Sequence, residues 1–136
     1  NWRLGLAGRL GVTDRLVDIP LEDPALFTGE PEWKQFIRED PLALHQVTVS
    51  FLLANRQLDR LAEAAPPLVR CPLLMMLAGE DRIIDNDATR ALFERFAANR
   101  KRLIEYPRAQ HTLEFEPDRD QFVEDLLGWL GEVCRG

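Results

Sequence analysis

Two residues have the type and the spacing to do chemistry together: Asp81, just past an apolar run, and His111, one strand–helix–strand unit later. An imidazole accepts a proton near neutral pH, and a carboxylate bonded to its far ring nitrogen holds the useful tautomer. That is the acid and base of nucleophilic catalysis without the nucleophile. Ser50 is the only serine, and Val49-Ser50-Phe51 lacks the glycines of a sharp nucleophile turn. Each residue also has a plainer reading. Asp81 could be a solvated turn acid, and His111 could cap the helix region near Asp118. Glu80 competes as the acid but points to the opposite side of an extended backbone. His45 reads as a packed or surface histidine, and Met75 and Met76 read as core. Asp81, Asp85 and Asp87 resemble a calcium loop only loosely, because the required glycine and terminal glutamate are missing. No cofactor and no metal is expected.

The elements that must position the pair are legible around them. Pro72-Leu73-Leu74-Met75-Met76-Leu77-Ala78 is apolar without a break and stops at Gly79-Glu80-Asp81. That predicts a strand buried on both faces, with the acids at its carboxyl end, where open α/β sheets bind ligands. Ile83 to Asp87 reads as a loop into a helix of about Asp87 to Ala98, with Ala88, Leu92, Phe93 and Phe96 on one face. Arg102 to Tyr106 makes a second strand, so the connection is a parallel, right-handed crossover. Pro117 opens a last helix with the stripe Phe122, Leu126, Trp129, Leu130 and Val133.

Upstream, Asp40-Pro41 predicts a helix start, and apolar positions from Leu42 extend to about Ala65. Pro66-Pro67 ends that helix and forces an extended entry into the strand. Residues 1–40, punctuated by Gly5, Gly8, Gly11, Pro20, Pro24, Gly29 and Pro31, predict loops and short helical pieces rather than sheet. The division is expected as 1–66 and 67–136.

Pro72 to Ile84, followed by Tyr106-Pro107-Arg108-Ala109-Gln110-His111, resembles the C-terminal half of an α/β-hydrolase, nearest the monoacylglycerol lipase and lysophospholipase group. The resemblance implies parallel strands with crossover helices, a remnant of a helical cap over residues 1–66, and a serine hydrolase of carboxylic or lipid esters. It matches Asp81 to the triad acid and His111 to the base. It matches nothing here to the serine of the Gly-x-Ser-x-Gly elbow, so the piece alone is expected to be inactive. The apolar residues Val47, Phe51 and Leu52 would line an acyl pocket or simply pack the cap on the core, and the sequence leaves both open.

Composition fits a fragment. With 46% hydrophobic content, 136 residues can bury one core. The chain begins at Asn1, so its natural N-terminus is expected to lie upstream, and a cytoplasmic location is the working expectation. No run approaches the roughly 20 apolar residues of a membrane helix. A net charge of −6, with clustered bases only at Arg100-Lys101-Arg102, argues against nucleic acid. Cys71 and Cys134 read as a reduced interior residue and an incidental thiol. The rival to an enzyme half is a non-catalytic structural fragment, self-associating through an exposed sheet edge left by the missing strands. Either that self-association or an N-terminal half of the fold is the expected partner.

Overall fold

In the computed structural model, which describes residues 13–135, the order is β1 (Leu16–Asp18), α1 (Pro31–Glu39), β2 (Gln46–Thr48), α2 (Val49–Ala64), β3 (Leu73–Ala78), α3 (Asn86–Glu94), β4 (Lys101–Tyr106) and α4 (Arg119–Cys134). Short 3-10 turns lie at Pro24–Leu26, Pro66–Leu68 and Leu113–Phe115. The elements form two compact units, residues 13–22 with Pro41–Ala65, and Asp23–Asp40 with residues 66–135.

The second unit is built on β3 and β4, which run parallel with Leu73 opposite Lys101 and Ala78 opposite Tyr106. The crossover is α3. Its N-terminus is capped by Asp85, whose carboxylate accepts from the Ala88 N–H at 2.9 Å. Its C-terminus is capped by Lys101, whose ammonium donates to the carbonyls of Phe93 at 3.1 Å and Glu94 at 3.0 Å. A cation there also suits the negative end of the helix dipole. The core cluster is Ala78, Tyr106 and Ala109, with Met76, Ile104, Leu113 and Phe122 packed against it. From α4, Asp125 accepts the Tyr106 hydroxyl at 2.8 Å, and Trp129 lies buried beneath the guanidinium groups of Arg100 and Arg102. Of the expected α4 stripe, Trp129 is buried but Leu130 is exposed.

Within this chain β3 is not buried on both faces along its length. Leu77 and Ala78 are buried, while Leu73 to Met76 are half-buried. The reason is that, among the described residues, β4 is the strand's one ladder partner. Cys71, just ahead of it, is a free, exposed thiol like Cys134 and not an interior residue.

Residues 23–40 were expected with 1–66 but group with the strand pair. Thr28 has no exposed surface; its hydroxyl donates to the Phe115 carbonyl at 3.4 Å and accepts from the Glu30 N–H at 3.1 Å. Trp33 stacks on Phe115 with centroids 4.3 Å apart, and Phe36, three residues on along α1, meets both rings at their edges.

In the first unit, β1 and β2 pair antiparallel, with Val17 opposite Val47. This corrects the reading of residues 1–40 as free of sheet. The helix expected from Asp40-Pro41 also begins later. Asp40 is extended and ends α1, as a residue before proline prefers. The backbone then forms β2, and Thr48 caps α2 by accepting from the Phe51 N–H at 3.1 Å. Phe51, Leu58 and Leu61 on α2 are exposed. Among the described residues, no helix is long and apolar enough to cross a membrane.

The ends of β3 and β4 meet at Gly79. Its N–H donates to the Tyr106 carbonyl at 2.8 Å, and the next, of Glu80, to the Ala109 carbonyl at 2.9 Å. A β-carbon on Gly79 would stand 2.5 Å from the Pro107 carbonyl oxygen and 2.6 Å from its α-carbon. Those are backbone atoms with no rotamer to move aside. Gly79→Ala is therefore expected to destabilise the protein by about 3 kcal/mol, the upper end of overpacking costs. A urea denaturation curve with an unchanged midpoint would show that the Pro107 turn yields freely.

Candidate active site

Asp81 and His111 come together at this junction. One stands three residues past β3 and the other five past β4, and the backbone bonds of Gly79 and Glu80 draw the two loops side by side. His111 Nδ1 lies 2.9 Å from Asp81 Oδ2. The second carboxylate oxygen, Oδ1, accepts from the N–H groups of Ile83 at 2.8 Å and Ile84 at 2.9 Å. One oxygen thus fixes the carboxylate to its own turn and leaves the other for the imidazole.

The electrostatics follow from those partners. Burial by itself pushes the Asp81 carboxyl up, since only 6% of the side chain is exposed. The Ile84 N–H, the His111 ring and the Ile83 N–H outweigh it together and hold the group below its ordinary 3.8. Asp81 is then an anion at neutral pH, and a carboxylate only accepts. Nδ1 of His111 must carry the hydrogen between them, so in the neutral ring Nε2 bears the lone pair. With 30% of its side chain exposed, the imidazole remains accessible. The arrangement can take a proton at Nε2 and stabilise the resulting imidazolium.

The surroundings hold residues that the sequence did not mark. Phe27 meets the imidazole edge to face, with ring centroids 5.8 Å apart, and its carbonyl accepts from the N–H of Thr112 at 2.9 Å. Asn86 Nδ2 donates to the Ala78 carbonyl at 2.7 Å, tying the start of α3 to the end of β3. Phe27 lies far from His111 in sequence, in a stretch without periodicity, and no local signal picks it out.

The other candidates have different local partners. Glu80 is exposed and its N–H serves the backbone junction. Ser50, in the first turn of α2, shares a hydrogen bond with the Thr48 hydroxyl at 2.9 Å. His45 offers its carbonyl to Ile19 beside the β1–β2 pair. Asp85 is occupied as a helix cap and Asp87 pairs with Arg90 at 2.7 Å. Among the described residues no group of three histidine, cysteine or acidic side chains could hold a metal. Two clefts of about 410 and 320 Å³ are lined by Glu30, Glu116 and Pro117, not by Asp81 or His111.

The chain resembles solved structures over nearly all its length. It superposes on a monoacylglycerol lipase from Paleococcus ferrophilus with a TM-score of 0.79 at 23% identity, covering 96% of this chain and 51% of that one. It also superposes on a soluble variant of monoglyceride lipase from Saccharomyces cerevisiae, crystallised with a substrate analogue, with a TM-score of 0.76 at 18% identity, covering 96% and 48%. The chain therefore spans about half the length of these structures and has the α/β-hydrolase fold that they share. Residues 6–118 match the family described as serine aminopeptidase, S33. With parallel strands of this fold and a family match over most of its length, the chain belongs to the S33 serine aminopeptidase family of α/β-hydrolases.

Proposed function

We propose that this chain is the C-terminal half of a serine hydrolase, supplying the acid Asp81 and the base His111 to a nucleophilic serine carried by another part of the protein. The supporting observation is the 2.9 Å contact between His111 Nδ1 and an Asp81 carboxylate whose other oxygen is already committed. In the reaction, His111 Nε2 takes the serine proton as the hydroxyl attacks the substrate carbonyl, and Asp81 stabilises the imidazolium. The proton then passes to the leaving group, and a water molecule, activated by the same nitrogen, frees the acyl group. Amide donors for the oxyanion belong with the nucleophile.

The substrate class in this reading is a carboxylic or lipid ester, in keeping with the lipases that share the fold and with apolar Phe51 and Leu52 on α2, the segment that would form the cap. The family's description as aminopeptidases makes a peptide amide the alternative substrate. The partner is the N-terminal half of the fold, seated on the open edge of β3. That edge also favours a second reading, a non-catalytic fragment that self-associates, because Leu73 to Met76 stay half-buried with β4 as the one ladder partner among the described residues.

The isolated 136-residue chain is expected to resist a fluorophosphonate probe and to leave short-chain esters intact, whereas the full-length protein is labelled and turns over. Sedimentation of the isolated chain separates the readings further. Labelling of the chain alone would sink the first, and a stable, compact monomer would sink the second.

A further inference from the structure

The Asp81 contact leaves one freedom of His111 unaccounted for. A single hydrogen bond at Nδ1 tolerates a range of distances and angles, and the torsion about the bond joining the ring to its methylene is itself broad and roughly two-fold. Rocking within that tolerance would tilt the ring and, with it, the lone pair at Nε2. The side chain that meets the ring from another direction is Phe27, at an interplanar angle of 72°. We infer that Phe27 is a positioning residue for His111, holding the imidazole plane so that Nε2 keeps one direction.

Phe27 is suited to this because it is held to the histidine loop at more than its ring. Its carbonyl accepts from Thr112, the residue following His111, so the ring and the backbone of one residue both hold the histidine loop. The next residue, Thr28, is fully buried and bonded to Phe115 on the far side of the same loop. The preceding turn, Pro24–Leu26, is capped by Asp23 through the Ala25 N–H at 2.9 Å. Further on, Trp33 lies flat on Phe115. Phe27 therefore cannot drift relative to the ring that it touches without breaking several contacts made by its neighbours.

The inference rests on the triad reading above, and the test separates the two. In the full-length protein, Phe27→Ala is expected to lower kcat on a soluble ester by about tenfold to a hundredfold, the range that slight misplacement of a catalytic group produces. KM is expected to stay unchanged, because no substrate contact is lost. Phe27→Tyr keeps the ring and restores kcat. The Nδ1–H proton resonance of the His111–Asp81 bond broadens in Phe27→Ala and sharpens again in Phe27→Tyr. Wild-type kcat in Phe27→Ala, or a loss confined to KM, overturns the inference. Should Phe27→Ala fail to fold, Phe27→Leu decides by the same criterion: a lowered kcat with unchanged KM supports it, and wild-type kcat refutes it. His111→Ala assayed alongside distinguishes the failures. If that variant is dead while Phe27→Ala is normal, only the positioning role falls; if it turns over normally, the triad reading falls first.

Discussion

His111→Ala in the full-length protein is expected to lower kcat for ester hydrolysis by about 10⁴ to 10⁶, with KM little changed. The magnitude follows from what the ring does in the proposed mechanism. Without a base, a serine hydroxyl must lose its proton to water, and the leaving group must depart without an acid. Substrate binding uses neither function, so the loss should fall on turnover. The methyl side chain of alanine leaves a space beside Phe27 and Asp81 the size of an imidazole, so added imidazole should recover part of the rate. Measuring kcat and KM over an imidazole titration checks both statements. A variant that hydrolyses esters at the wild-type rate would remove His111 from the chemistry.

Asp81→Asn is expected to cost on the order of 10⁴ in kcat by a different route. An asparagine oxygen can still accept from Ile83 and Ile84, so the turn should survive. The amide nitrogen would then face His111 Nδ1 as a donor, where the carboxylate accepts. That forces the ring hydrogen onto Nε2 and occupies the nitrogen that takes the serine proton in the proposed mechanism. The same substitution carries a stability signature. Because the folded carboxyl is held below its ordinary 3.8, the ionised form stabilises the native state above that value. The contribution disappears as pH falls through the lower, folded value. Urea denaturation of wild type and Asp81→Asn should therefore show a stability difference that closes on acidification below 3.8. A difference indifferent to acid would mean that the charge of Asp81 does not contribute to folding.

The second unit was legible because its signals are local and agree. An apolar run ended by Gly79, a helical face and a second short run lie consecutively, and a parallel crossover follows from that order. Asp81 and His111 could be read because each directly follows its strand. The first unit was less legible because its pairing is not local. Leu16–Asp18 and Gln46–Thr48 are three-residue strands separated by a segment that packs elsewhere, so neither shows a period to read. At Asp40-Pro41 a plausible helix start lost to strand pairing a few residues on, which delayed the helix to Val49. Phe27 and Thr28 carry no signal in the sequence for a related reason. Their partners, His111 and Phe115, lie far along the chain, and only the folded arrangement reveals them.

The return of Asp23–Asp40 to the strand-pair unit governs how hybrids of this protein with its relatives should be cut. A chimera spliced at residue 66, as a simple two-part plan would suggest, replaces Phe27, Thr28 and Trp33 along with everything before them. The recipient histidine loop would then rest on foreign side chains. Exchanging Pro41–Ala65 alone transfers α2 while leaving the native wall behind His111, although Gln46–Thr48 must still find a compatible β1 strand.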